Sequence, residues 1–125
     1  MSKLQNIPKP NIINLIDCPD RKAYTENEFS KLGVSDINVH VYERYNKDSI
    51  EIIGEPRLLA EMTKGVTSSH LLTIKWWYDN TNEEIGLFFE DDVDFEPVEH
   101  WNFTLMEFIE GIEVEWGALH LCNVF

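Results

Sequence analysis

The sequence predicts an α/β domain, a sheet flanked by helices, and three observations carry that prediction. A short apolar strand, Asn11 to Ile16, leads into a helix opened by Pro19 and then into an alternating strand, Ile37 to Tyr42. A second apolar stretch, Ile85 to Phe89, empties directly into Glu90, Asp91, Asp92 and Asp94. The length, 125 residues, suits one domain with a single core.

Each element has a local reason. NIINLI, from Asn11 to Ile16, reads as a buried strand. Asp17-Cys18-Pro19-Asp20-Arg21 then turns into a helix, for which Pro19 suits the first turn and Asp20 the positive end of the dipole. Phe29 and Leu32 continue its apolar face, Lys31 sits near its end, and Gly33 stops it. In the next strand Ile37, Val39 and Val41 alternate with polar residues.

The stretch from Glu43 to Lys64 is less patterned. Ile50, Ile52 and Ile53 suggest an extended piece, and Pro56 to Met62 a short helix. Gly65 is expected to end it, with Thr67, Ser68 or Ser69 capping a new helix that runs to about Asn80. Leu71, Ile74 and Tyr78 share one face of that helix, with Leu72 and Trp76 beside it. After the strand and acidic run, Pro97 and Glu99 start a helix with Trp101, Leu105, Phe108, Ile109 and Ile112 at helical spacing. Trp116 to Phe125 reads as a final buried strand. Trp76, Trp77 and Trp101 are expected in the core.

Composition narrows the function classes. The chain is 43% hydrophobic and 26% charged, which is a globular balance. Ten basic against twenty-three acidic residues give a formal charge of −13, which opposes a general nucleic-acid or anionic-membrane surface. Cys18 and Cys122 are the two cysteines, expected buried and reduced. No basic start precedes an apolar segment, and no apolar run reaches the roughly 20 residues of a membrane span. A soluble, cytoplasmic protein with no transmembrane segment is the expectation. Oligomeric state has no sequence signature here.

The acidic run admits several readings. Closely packed carboxylates repel one another, so a fold supplies a cation or lets water screen them. A solvated acidic loop is the plain alternative. A calcium loop of the EF-hand type fails, because counting from Asp92 puts Pro97 at the sixth place and Phe103 at the twelfth. An Asp-x-Asp-x-Thr phosphoryl-transfer motif fails as well, since Glu96 holds the threonine place. The remaining reading is a motif holding Mg2+ or Mn2+ against a diphosphate, where hard cations take one or two protein carboxylates plus phosphate oxygens. Such a metal stabilises charge on a departing diphosphate. Its setting supports this reading, because ligands of open α/β sheets sit beyond the carboxyl ends of the strands.

An ordered set of motifs resembles glycosyltransferase family 25, the lipopolysaccharide-biosynthesis and collagen-galactosyltransferase type. Ile13-Asn14-Leu15 with Pro19-Asp20-Arg21 is similar to its opening strand and turn, and Arg21 to Leu32 with Gly33 and Val34 to its first helix. Gly65 with Ser69-His70 resembles its Gly-x-x-x-Ser-His, and Phe89-Glu90-Asp91-Asp92-Val93 its apolar–Glu-Asp-Asp-Val. Trp116 through Leu121 resembles a later strand. Val66 and Gly117 stand where the family pattern has Cys and Asp.

The resemblance implies the nucleotide-diphospho-sugar transferase fold called GT-A. It also implies metal-dependent transfer of a sugar from a nucleotide-sugar donor to a glycan or other hydroxyl acceptor, as in lipopolysaccharide-type glycan synthesis. Residues 1–125 would form a single domain equivalent to the amino-terminal part of a longer family domain, with roughly a hundred further residues carrying the acceptor site and general base. No catalytic base is assigned within the chain. The alternative is a non-catalytic nucleotide- or metal-binding module, or an inactive truncated relative.

The expected roles follow. Asp92 is the first choice for metal ligand, with Glu90 as the other arm and Asp94 as a further or supporting ligand. Asp91 faces the opposite way, toward the donor sugar or ribose. Asp17, Asp20 and Arg21 lie in the first β–α turn, where Arg21 offers a fork of donors to phosphate. Ser69 caps its helix, and His70 in the first turn positions the donor. Plainer readings stand beside these: Arg21 paired with a Glu of its own helix, and His70 as a packing residue.

Overall fold

A computed structural model describes residues 2–43 and 61–121, with the backbone alone described for 61–64. Three parallel strands, β1 (Asn11–Leu15), β2 (Asn38–Tyr42) and β3 (Phe88–Glu90), form one sheet in the order β2-β1-β3. Helix α1 (Pro19–Lys31) links β1 to β2, α2 (Glu61–Asn80) precedes β3, and α3 (Leu105–Glu110) follows a 3-10 turn at Glu96–His100. The α/β expectation therefore holds at the level of a small open parallel sheet with helices.

The strand order decides where the helices go. The chain leaves β1 toward one edge and returns past it to the other. Parallel crossovers are right-handed, so opposite directions of travel place their helices on opposite faces. The side chains bear this out. On one face, Phe29 of α1 is fully buried and meets Phe89 and Phe95 edge-on at ring distances of 5.2 and 4.8 Å. On the other face, Trp77 of α2 meets Phe88 at 5.9 Å and Trp76 meets His40 of β2 at 4.6 Å.

Helix α1 forms as its punctuation predicts. Pro19 opens it, Asp20 lies in its first turn and Lys31 in its last. Gly33 adopts a φ of +78°, while its N–H reaches Ser30 O and that of Val34 reaches Phe29 O, both at 3.0 Å. This paired closure needs a left-handed residue, which glycine supplies without a Cβ penalty. The core around Phe29 gathers Leu4, Ile12, Leu87, Phe95, Val98, Leu105 and Ile109.

Helix α2 departs from expectation in two ways. It is already helical at Glu61, so Gly65 lies inside it and Thr67, Ser68 and Ser69 do not cap it. A glycine inside a helix costs about 1 kcal/mol, which tertiary contacts readily offset. The second departure is the face it buries. Ser69 and Thr73 are buried, whereas Leu71, Ile74 and Tyr78 are exposed. The sheet surface beneath α2 is mixed, carrying Asn11, His40 and Tyr42 beside Ile13, Leu15 and Phe88, and its polar part takes a hydroxyl partner: Tyr42 Oη lies 2.8 Å from Thr73 Oγ1.

The remaining differences are local. The predicted helix from Pro97 through Ile112 is broken, because Trp101 is extended (φ −70°, ψ 143°) and α3 restarts at Thr104. Thr104 Oγ1 accepts the Glu107 N–H at 3.1 Å and lies 3.3 Å from Glu107 Oε1, so the Thr-x-x-Glu pattern starts a helix of its own. Residues 116–121 are not a strand. Of the three tryptophans expected in the core none is fully buried: Trp101 is half-buried against it, Trp77 is half-buried, and Trp76 is 37% exposed. The extended piece expected at Ile50 to Ile53, most of the short helix at Pro56 to Met62, and Cys122 lie outside the described residues. Among the described residues no helix is long and apolar enough to cross a membrane.

Candidate functional site

The site sits at the carboxyl ends of β1 and β3. These two strands are neighbours and parallel, so the loops that follow them meet beyond the same end of the sheet, where ligands of open α/β sheets sit. Two loops meet there: the turn Ile16–Cys18 after β1, and the acidic loop after β3.

Parallel pairing places Ile13 opposite Glu90, so the next residues, Asn14 and Asp91, lie side by side. Asn14 Nδ2 donates to Asp91 Oδ2 at 2.8 Å and to the Cys18 carbonyl at 3.0 Å. Arg21 Nη1 reaches Asp91 Oδ1 at 3.5 Å from the first turn of α1. Thr25 Oγ1 lies 2.7 Å from the Asp91 carbonyl and 2.9 Å from the Arg21 carbonyl, and its single proton serves these two acceptors. Asp91 is thus a buried carboxylate, 6% exposed, held by an amide and a guanidinium. Burying a charge in this way requires such partners.

Glu90 points to the other face. Its Oε1 lies 3.0 Å from His70 Nε2 of α2, with both side chains partly open to solvent. His70 stands in the middle of α2 rather than in its first turn, so the dipole at a helix start does not act on it. Ser69 is buried and donates to the Gly65 carbonyl at 2.9 Å.

Asp92 and Asp94 are exposed, and Asp94 Oδ1 accepts the Glu96 N–H at 3.0 Å. Asp17 and Asp20 are exposed at the start of α1. Cys18 is a free, half-buried thiol whose pKa is raised by burial and by the neighbouring Asp17, against a lowering contribution from Arg21. Tyr24 stands beside the acidic loop: partial burial, then the charges of Glu28, Asp94 and Asp92, push its hydroxyl pKa up.

Four of the expected site residues therefore fall into two pairs. Arg21 and Asp91 meet on the α1 face, and His70 and Glu90 meet on the α2 face. Asp91 does face away from Glu90, as the sequence suggests, but its carboxylate is engaged by Asn14 and Arg21. Among the described residues, no group of three or more His, Cys, Asp or Glu side chains is arranged to hold a metal. A cation shared with a diphosphate needs only one or two carboxylates from the protein. Asp92 fits that role, since Glu90 is hydrogen-bonded to His70 and Asp91 is buried. Tyr24 and Thr25 were not singled out in the sequence, and Asn14 stood only within the opening Ile13-Asn14-Leu15 motif, with no role assigned. An Asn inside the apolar NIINLI strand is a usable signal, because a buried amide needs a partner. Tyr24 and Thr25 follow Arg21 at helical spacing and carry no signal of their own. Comparisons with protein-family models, with curated protein sequences and with solved structures found no match for this chain.

Proposed function

We propose that the crevice between β1 and β3 receives the diphosphate of a nucleotide sugar, and that the protein is a metal-dependent glycosyltransferase of GT-A type. The observation that carries this reading is the meeting of an arginine with an acidic loop beyond the carboxyl ends of β1 and β3. Arg21 is joined to the acidic loop through Asp91, and its side chain is more than half exposed. One nitrogen of the fork, Nη1, lies 3.5 Å from Asp91 Oδ1, and the rest of the fork would serve an anion. Asp92 stands one residue beyond, open to solvent, as the carboxylate for Mg2+ or Mn2+.

In the transfer step, the acceptor hydroxyl loses its proton to a base while its oxygen bonds the anomeric carbon of the donor. The bond from that carbon to the diphosphate breaks, and its electron pair leaves with the phosphate oxygen. A bound divalent cation would lower the energy of the charge developing on that oxygen. Arg21 orients the phosphates, and the dense negative charge of the chain makes a metal-complexed donor a better ligand than a free one. Acceptor hydroxyls of a glycan fit the reading, and no residue is assigned as the base.

A thermal-shift screen of nucleotide sugars with and without Mn2+ tests it. Stabilisation by a nucleotide sugar that needs Mn2+ is the expected result, followed by sugar transfer or slow donor hydrolysis. Stabilisation without either reaction converts the reading to a binding module. No shift with any donor overturns it.

A further inference from the structure

We infer that Asn14 is a positioning residue: its amide ties the turn after β1 to the acidic loop after β3, keeping the phosphate-directed and metal-directed side chains in register. The inference rests on the donor-site reading for its purpose, and on geometry alone for the tie itself.

Asn14 lies near the end of the central strand and is 2% exposed. Asparagine is a poor strand former, and a buried amide is costly unless its hydrogen bonds are made. A strand residue serving packing alone would be Val or Ile, like its neighbours Ile12 and Ile13. The two hydrogens on Nδ2 meet two acceptors, each on a different loop: the Cys18 carbonyl at 3.0 Å and Asp91 Oδ2 at 2.8 Å. The orientation of the amide is fixed by these partners. Both are acceptors, so turning the amide over would set its oxygen against a carbonyl and a carboxylate.

Three side chains hold Asp91, and their anchors differ. Arg21 and Thr25 ride on α1. Asn14 alone of the three belongs to the sheet, and so fixes Asp91 relative to the strand from which the first turn also departs. Arg21 follows Cys18 in the first turn of α1, and Asp92 follows Asp91. Asn14 touches neither, so it acts on them through Cys18 and Asp91. Misplacing ligand-holding groups by about 1 Å is enough to cost on the order of a hundredfold in function.

The test replaces Asn14 by Leu, which fills the same space without the amide, and by Ser, which stays polar but is too short to span both loops. Amide hydrogen exchange of the free protein is read by segment, and binding of UDP is measured in the presence of Mn2+. Both variants should speed exchange in residues 17–21 and 90–94 by about tenfold, the factor expected when a hydrogen bond of that class is lost, with the rest of β1, α1 and α3 unchanged. Binding of UDP with Mn2+ should weaken by about tenfold or more. Uniform acceleration across all elements would make Asn14 a general stability residue and overturn the inference, as would unchanged exchange in both loops. Wild-type protein that does not bind UDP with Mn2+ counts against the donor reading, while the exchange pattern still decides the tie.

Discussion

Glu90 and Asp91 are adjacent in the chain and serve opposite faces of the sheet. Glu90 Oε1 lies 3.0 Å from His70 Nε2 on the α2 side. Asp91 Oδ2 accepts from Asn14 Nδ2 at 2.8 Å on the α1 side. One acidic dipeptide thereby joins both helical layers at the carboxyl end of β3. The acidic run is not a uniform cluster: it holds an interfacial carboxylate, a buried one, and then the exposed Asp92 and Asp94.

This division predicts different outcomes for neighbouring substitutions. Asp91→Ala leaves Asn14 Nδ2 and Arg21 without their shared acceptor and should destabilise the protein by about 1–3 kcal/mol. Asp92→Ala, at an exposed position, should stay within about 0.5 kcal/mol of wild type. Urea unfolding midpoints of the two variants decide it, and equal effects would contradict the buried role of Asp91.

Binding should divide the other way. Asp92→Ala should weaken Mn2+-dependent nucleotide binding by about tenfold or more, since a shared cation has few protein ligands to lose. Isothermal titration with UDP and Mn2+ measures this. Retention of full Mn2+-dependent affinity in the variant removes Asp92 from the site.

Gly86 marks a close approach between α2 and β3. A Cβ built there would lie 2.7 Å from Trp77 Cε2 and 2.9 Å from the Phe88 ring. Both rings are half-buried and pack edge-on against each other, so neither yields freely. Gly86→Ala should cost about 1–3 kcal/mol through overpacking. A variant that melts with the wild type would show that the rings move aside without penalty.

His40 gives a pH dependence with a defined sign. Burial lowers its pKa below the ordinary 6.5. The folded protein therefore takes up this proton less readily than the unfolded chain. The stability contributed by neutral His40 is full above the unfolded pKa and is lost as pH falls through it toward the lower folded value. In His40→Gln the urea midpoint should fall less than in wild type between about pH 8 and about pH 5. Parallel pH profiles for the two proteins would exclude the contribution.

The β–α–β opening was legible because its signals are local. Pro19, Asp20, Lys31 and Gly33 act within one helical turn of where they stand, and the alternation in β2 is a property of neighbouring residues. The acidic loop was legible for the same reason, as an apolar run followed at once by carboxylates. Helix α2 misled because its hydrophobic pattern is real but does not face the sheet. Leu71, Ile74 and Tyr78 form the apolar stripe, while Ser69 and Thr73 are the residues buried. Periodicity identifies a helix without saying which of its faces a partly polar sheet surface will select. The break before α3 was written in Thr104 and Glu107, a capping pair hidden within an otherwise continuous helical spacing.

The amino-acid sequence by itself determined the class of the fold, the position of the first turn and the acidic loop, and the excess of negative charge. Those follow from steric preference, hydrophobic periodicity and composition, which need no distant contact. Only the tertiary structure decided what each acid in the run does. Asn14 and Asp91 are 77 residues apart in the chain, and parallel pairing sets them side by side. Strand order then sends Glu90 and Asp91 to helices on opposite faces. Burial and hydrogen bonding, rather than residue type, separate the carboxylate that holds the crevice together from Asp92, left open at its mouth.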